Sequence, residues 1–187
     1  MDRKCVLILG GARSGKSRFA QELASSISNK VLFVATAEAL DEEMKARIKE
    51  HQRERPGSWR TLEISTNMPH GITERIGDAE VVLIDCLTLL VSNLILGKER
   101  GFSRSGEIDI EDAESCVMAE IESLLEFISE ANATFIIISN EVGLGLVPEN
   151  KLGRLYRDLL GRANQLMAQH ADKVYFMVAG IPMKVKG

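Results

Sequence analysis

No stretch constrains this chain more than Val6 to Ser17, VLILGGARSGKS. Val6 to Leu9 read as a short buried strand, and Gly10 to Ser17 after it fits the phosphate-binding pattern G-x-x-x-x-G-K-[ST]. The spacing has a chemical reason. Gly10, Gly11 and Gly15 let the backbone curl, so that the N–H groups of the loop point inward at an anion, which side chains at those positions would obstruct. Lys16 supplies a point charge for the β- and γ-phosphates and Ser17 a hydroxyl for Mg2+. A helix expected over Ser17 to Ser25 turns its positive end on the same anion.

Such a loop needs a strand before it and a helix after it, and the chain repeats that alternation. Apolar runs at Val31 to Val34, Val81 to Ile84, Phe135 to Ser139 and Val174 to Val178 predict further strands. Residues Ile110, Ala113, Val117, Ile121, Leu124, Leu125 and Ile128 recur at helical spacing between Asp109 and Ala131. Leu152, Leu155, Leu159, Leu160, Ala163, Leu166 and Met167 do the same further on. Leu87 to Leu96 is short and nearly all apolar, a buried helix. The expectation is one α/β domain over residues 1–187, with a mostly parallel sheet and the tail MKVK pairing back as an edge strand. Residues 66–78 read as irregular, and 97–106 as a mobile loop.

At 187 residues the chain can bury a substantial core without metal or disulfide staples. A net charge of −4 with mixed signs argues against a nucleic-acid surface or a polybasic membrane anchor. Cys5, Cys86 and Cys116 have no C-x-x-C spacing and read as reduced structural residues. With no run of about 18 apolar residues, the chain is expected to be cytoplasmic and not membrane-inserted.

Several further residues are candidates for chemistry. Ala35, Thr36 and Ala37 are small and end the second strand beside the loop, leaving space for a ligand. Asp41 to Arg55 is polar and helical in propensity, with Pro56-Gly57 as a stop. Arg47, His51 and Arg55 stand four residues apart and share a stripe on that helix. Flanking cations disfavour the imidazolium and can hold phosphate oxygens, so His51 reads either as a nucleophile or as part of an ordinary solvated face. Glu63 closes the β-prone stretch after Trp59. Asp85 closes the apolar run at 81–84, where a carboxylate meets Mg2+ beside a phosphate loop or caps the next helix. Asn140 and Glu141 end the strand at 135–139. There, open parallel sheets place ligand contacts, though an ordinary crossover has the same look, and Gly143 and Gly145 suit a backbone approaching a bulky substrate.

Five stretches, GGARSGKSRFA, ATA with DEEMKARIKEHQ, RPGSWRTLE, LIDCLT and NEVGLGLVPENKLGRLYRDLLGRANQ, occur in the order found in one family. Together they make the chain resemble a bifunctional adenosylcobinamide kinase / adenosylcobinamide-phosphate guanylyltransferase of cobalamin biosynthesis. The resemblance implies a P-loop fold with the sheet topology of strand-exchange ATPases, and a homotrimer with sites near subunit boundaries. It implies phosphorylation of adenosylcobinamide by ATP or GTP, then GMP transfer from GTP through a guanylylated histidine, with Mg2+ accompanying the nucleotide. The R-I-x-x-H pattern falls on Arg47, Ile48 and His51. Family members carry two adjacent histidines here, whereas this chain has Glu50 first, which leaves His51 as the candidate nucleophile. By the same transfer, nucleotide contacts are Gly10, Gly11, Ala12, Arg13, Ser14, Gly15, Lys16, Ser17, Ala35 to Ala37, His51, Gln52, Arg53, Glu54, Glu63 and Asp85. Lys16 serves the kinase step, and Ser17 and Asp85 are the metal-facing pair. The rival readings are a nucleotide-dependent switch or small ATPase, or a kinase of another small alcohol, neither of which needs a nucleophilic histidine.

Overall fold

The structure, a computed structural model, describes residues 4–37, 42, 55–97 and 109–187. The helix expected over Asp41 to Arg55, with Arg47, His51, Gln52, Arg53 and Glu54, lies outside the described residues except at Glu42 and Arg55. So does the loop expected at 97–106 beyond Gly97.

In chain order the elements are β1 (Cys5–Gly10), α1 (Lys16–Ile27), β2 (Val31–Ala35), β3 (Arg60–Glu63), α2 (Met68–Arg75) and β4 (Val81–Asp85). They continue with α3 (Leu87–Leu96), α4 (Ile110–Glu130), β5 (Thr134–Ile138), α5 (Lys151–His170), β6 (Lys173–Val178) and β7 (Ile181–Lys186). The strands form a seven-stranded sheet in the order β3-β2-β4-β5-β1-β6-β7. Every pairing is parallel except β6 with β7. The predicted strands and the antiparallel edge strand are therefore present, and the β-prone stretch that Glu63 closes forms β3.

Alternation along the strands divides the core. Val6, Ile8, Phe33, Leu83, Ile136 and Ile138 pack on the face covered by Ala20 and Ala24 of α1. Leu7, Val34, Ile84, Phe135 and Ile137 pack on the other, with buried residues of α2 to α5. Both faces are covered, so the central strands are apolar on both sides, which is why they read as unbroken hydrophobic runs. Each fully buried side chain of this size contributes about 1.5–3 kcal/mol.

The expectation that residues 66–78 are irregular is corrected by α2. Its two apolar anchors, Met68 and Ile72, are fully buried one helical turn apart. Pro69 is tolerated in the first turn, where its missing N–H costs nothing. The cap comes from far away: Met68 N donates to Glu120 Oε1 on α4 at 2.7 Å. α1 also starts one residue earlier and ends two later than Ser17 to Ser25. At the other end of the chain, Ala179 and Gly180 both have positive φ, 49° and 83°, the requirement of a two-residue turn between β6 and β7. Gly180 N donates to Ser14 O at 3.0 Å, fastening this hairpin to the loop after β1.

Candidate functional site

The carboxyl ends of β1, β2, β3 and β4 lie along one edge of the sheet, and they carry Gly10, Ala35, Glu63 and Asp85. The loop from Gly10 to Gly15 has little freedom. A β-carbon on Gly10 (φ +154°) would stand 2.7 Å from Ser14 Oγ and 2.8 Å from Met177 O, and one on Gly15 (φ +93°) would meet Gly180 Cα at 3.1 Å. Arg13 also takes a positive φ of 56°. The loop is thus a backbone cradle wedged between its own turn and the β6–β7 hairpin.

Lys16 is 8% exposed, and its ammonium donates to the carbonyls of Gly10 at 3.1 Å and Gly11 at 2.6 Å. The charge is held across the cradle by neutral acceptors that an anion would outcompete. Burial pushes its pKa below the usual 10.5, opposed by the neighbouring Cys86 and Asp85. Ser17 Oγ donates to Asp85 Oδ2 at 3.0 Å, so the first turn of α1 and the end of β4 present a hydroxyl and a carboxylate side by side. Two hard oxygen donors of this kind suit Mg2+, which keeps most of its remaining ligands as water and phosphate. The N-cap position of α3 is Cys86 and not Asp85.

Thr36 is fully buried, and its hydroxyl donates to Cys86 O at 2.7 Å while accepting from Cys86 N at 2.8 Å. Thr36 N donates to Asp85 O at 3.1 Å. These bonds fix the backbone on which Asp85 stands. Burial first, and then the Asp85 carboxylate, push the Cys86 thiol up to about 11, which makes it structural and unreactive. Arg55 lays its guanidinium 3.5 Å from the centre of the Phe33 ring. Burial lowers its pKa, and the carboxylates of Asp85 and Glu63 act in the opposite direction. Arg55 thus joins the group at the strand ends. His51 to Glu54 lie outside the described residues.

Sequence reasoning missed Asn93. Its side-chain amide donates to Thr36 O at 2.9 Å and Ser65 O at 3.2 Å, stitching the segments after β2 and β3 to α3. The available signal was a lone asparagine inside LTLLVSNLIL.

A glycine cradle between strand and helix, a buried lysine across it and a serine–aspartate pair beside it define a P-loop nucleotide-binding protein with a RecA-like sheet order. The same fold is seen in the flagellar accessory protein FlaH from Methanocaldococcus jannaschii, at TM-score 0.51 and 15% identity, over 98% of this chain and 78% of that one. It is also seen in a protein from Pyrococcus horikoshii, at TM-score 0.56 and 8% identity, over 98% of this chain and 86% of that one. The chain belongs to the cobinamide kinase / cobinamide phosphate guanyltransferase family, whose model matches residues 6–185. It is 42% identical over 181 residues to the bifunctional adenosylcobalamin biosynthesis protein CobU of Escherichia coli K12, covering 97% of this chain and 99% of that protein. It is 40% identical over 186 residues to the protein of the same name from Salmonella typhimurium, covering 97% and 99%. Among the described residues no helix is long and apolar enough to cross a membrane.

Proposed function

We propose that this chain, as one domain over residues 1–187, phosphorylates adenosylcobinamide and then guanylylates the product in cobalamin biosynthesis. The observation that carries the phosphoryl-transfer half is the Ser17–Asp85 pair set against the Lys16 cradle. Family membership over residues 6–185 supports the acceptor and the second reaction.

In the first step the loop N–H groups from Gly11 to Ser17 and the Lys16 ammonium hold the triphosphate of ATP or GTP. The aminopropanol hydroxyl of adenosylcobinamide attacks the γ-phosphorus. Its oxygen–phosphorus bond forms as the bond to the β-phosphate oxygen breaks, leaving a nucleoside diphosphate and releasing the hydroxyl proton. Lys16 stabilises charge on the β- and γ-oxygens, where repulsion is greatest. Mg2+, when bound with the nucleotide at Ser17 and Asp85, supplies Lewis-acid charge neutralisation.

In the second step a neutral nitrogen of His51 attacks the α-phosphorus of GTP and pyrophosphate leaves. A phosphate oxygen of adenosylcobinamide phosphate then displaces the histidine, giving adenosylcobinamide-GDP. Ala35 to Ala37, Gln52 to Glu54 and Glu63 complete the nucleotide pocket, with Arg55 beside Asp85 and Glu63. The protein works in the cytoplasm as a homotrimer, for which the exposed Ile181, Met183 and Val185 of β7 offer apolar surface. Exposed Leu144, Leu146 and Val147, beyond the end of β5, are suited to a bulky acceptor.

Incubation with α-labelled GTP and Mg2+, without acceptor, tests the reading by mass analysis of the protein. Covalent GMP on the peptide containing His51 is expected. Unmodified protein, or GMP on the peptides of His70 or His170, would overturn the assignment.

A further inference from the structure

The end of β5 has no part in the two proposed steps, yet four hydrogen bonds fix it. Ser139 N donates to Ile8 O at 3.0 Å and Glu141 N to Gly10 O at 3.1 Å. These bonds extend the β1–β5 register, in which Ile8 faces Ile138, by one more pleat, so Asn140 stands opposite Gly10, the first residue of the cradle. On the other side of β5, Ile138 pairs with Asp85. Ile136 and Ile138 face α1, and alternation puts Asn140 on that same face, next to Asp85 and one pleat nearer the loop.

Two side chains from separate helices hold the main chain there. Asn140 N donates to Thr88 Oγ1 at 2.7 Å, and Asn164 Nδ2 donates to Asn140 O at 3.0 Å. Asn164 is 6% exposed, and its Oδ1 is buried without a hydrogen-bond partner among the described residues. The adjacent Glu141 turns its carboxylate away to accept from Gly143 N at 2.5 Å.

We propose that the side-chain amide of Asn140 donates a hydrogen bond to the γ-phosphoryl group of the bound triphosphate and strengthens it as that group is transferred. The proposal rests on the kinase half of the reading above. An amide suits the place because it donates to developing negative charge without adding charge beside Asp85, whereas a carboxylate would repel the phosphoryl oxygens.

The test compares Asn140→Ala with Asn140→Asp. In all four bonds at 139–141 the group contributed by these residues is main-chain, so the bonds survive both changes. Each variant is titrated with a nucleoside diphosphate and with the matching non-hydrolysable β,γ-imido triphosphate, and assayed for phosphorylation of adenosylcobinamide. Expected are unchanged diphosphate affinity, a triphosphate preference lowered roughly tenfold in Asn140→Ala, and kcat lowered about a hundredfold. Asn140→Asp should be worse than Asn140→Ala on both counts. A merely structural role predicts the reverse order, because aspartate is the closer fit in shape. Unchanged triphosphate preference in both variants, or a milder Asn140→Asp, would overturn the proposal. If the wild type does not phosphorylate adenosylcobinamide but the triphosphate preference falls as described, the contact stands and the assigned acceptor is wrong.

Discussion

Ser17 Oγ, in the first turn of α1, and Asp85 Oδ2, at the end of β4, are joined by a 3.0 Å hydrogen bond although β5 lies between β4 and the strand β1 that leads into α1. The first turn of α1 reaches over β5, so helix and sheet meet where a triphosphate and its metal would be held. Asp85→Asn keeps the shape and an acceptor for Ser17 but removes the charge. Phosphorylation is expected to fall by about tenfold to a hundredfold, and the Mg2+ concentration giving half-maximal rate should rise. A metal titration of initial rates checks this, and a variant with unchanged metal dependence would separate Asp85 from the metal.

Lys16 should make nucleotide binding sensitive to alkaline pH. Burial lowers its folded-state pKa below the 10.5 of the unfolded chain, so between those two values the unfolded state binds more protons. In the free protein, stability contributed by this group therefore rises with pH across that window. Triphosphate affinity should move the other way, because phosphate oxygens favour the ammonium and the lysine must be protonated to hold them. Isothermal titrations of a triphosphate from neutral to alkaline pH should show affinity falling before pH 10.5, with proton uptake on binding. Lys16→Met should abolish that dependence.

The parts of the fold that were legible in advance share one physical trait. Central strands buried on both faces read as apolar runs, and α4 and α5 repeat their apolar residues at helical spacing. α2 was not legible, because it is eight residues long, has two anchors, and takes its cap from Glu120 on another helix. In the site, the glycines, Lys16, Ser17 and Asp85 announced themselves through loop spacing and strand ends. The roles of Thr36 and Asn93 did not. Their work is to hold the backbone of other segments, at Cys86 and Ser65, and no local pattern encodes such contacts. Cys86 follows Asp85 in the chain, but its closeness to Lys16 shows only in three dimensions.

The close approach of Gly15 to Gly180 links the phosphate-binding loop to the C-terminal hairpin. A methyl on Gly15 meets Gly180 Cα at 3.1 Å and has to accept a φ of +93°, whereas one on Gly180, at φ +83°, meets nothing within 4 Å. Both substitutions carry left-handed strain of roughly 1–2 kcal/mol, and Gly15→Ala adds displacement of the hairpin. Thermal melts should rank Gly15→Ala below Gly180→Ala. Triphosphate affinity should fall in Gly15→Ala and stay near wild type in Gly180→Ala. Equal effects in both would mean that the contact between loop and hairpin does not matter.

The two proposed reactions should come apart by mutation, since they act on different phosphorus atoms. Lys16→Ala removes the charge that offsets repulsion at the β- and γ-phosphates, so phosphorylation of adenosylcobinamide should drop by about a hundredfold or more, equivalent to roughly 3 kcal/mol. His51→Ala removes a nucleophile that the phosphoryl step never uses. It should abolish GMP transfer while phosphorylation stays within a few-fold of wild type. The intermediate has a further signature, because GMP on an imidazole is a phosphoramidate. Its nitrogen–phosphorus bond is labile to acid and comparatively resistant to base, so label from α-labelled GTP should survive alkali and vanish in mild acid. Arg55, beside Asp85 and Glu63, should contribute to the same step by holding non-bridging oxygens. Arg55→Ala is therefore expected to slow labelling of His51 more than it slows phosphorylation. GMP transfer persisting in His51→Ala would assign the second reaction to another nucleophile, or to direct displacement without a covalent intermediate.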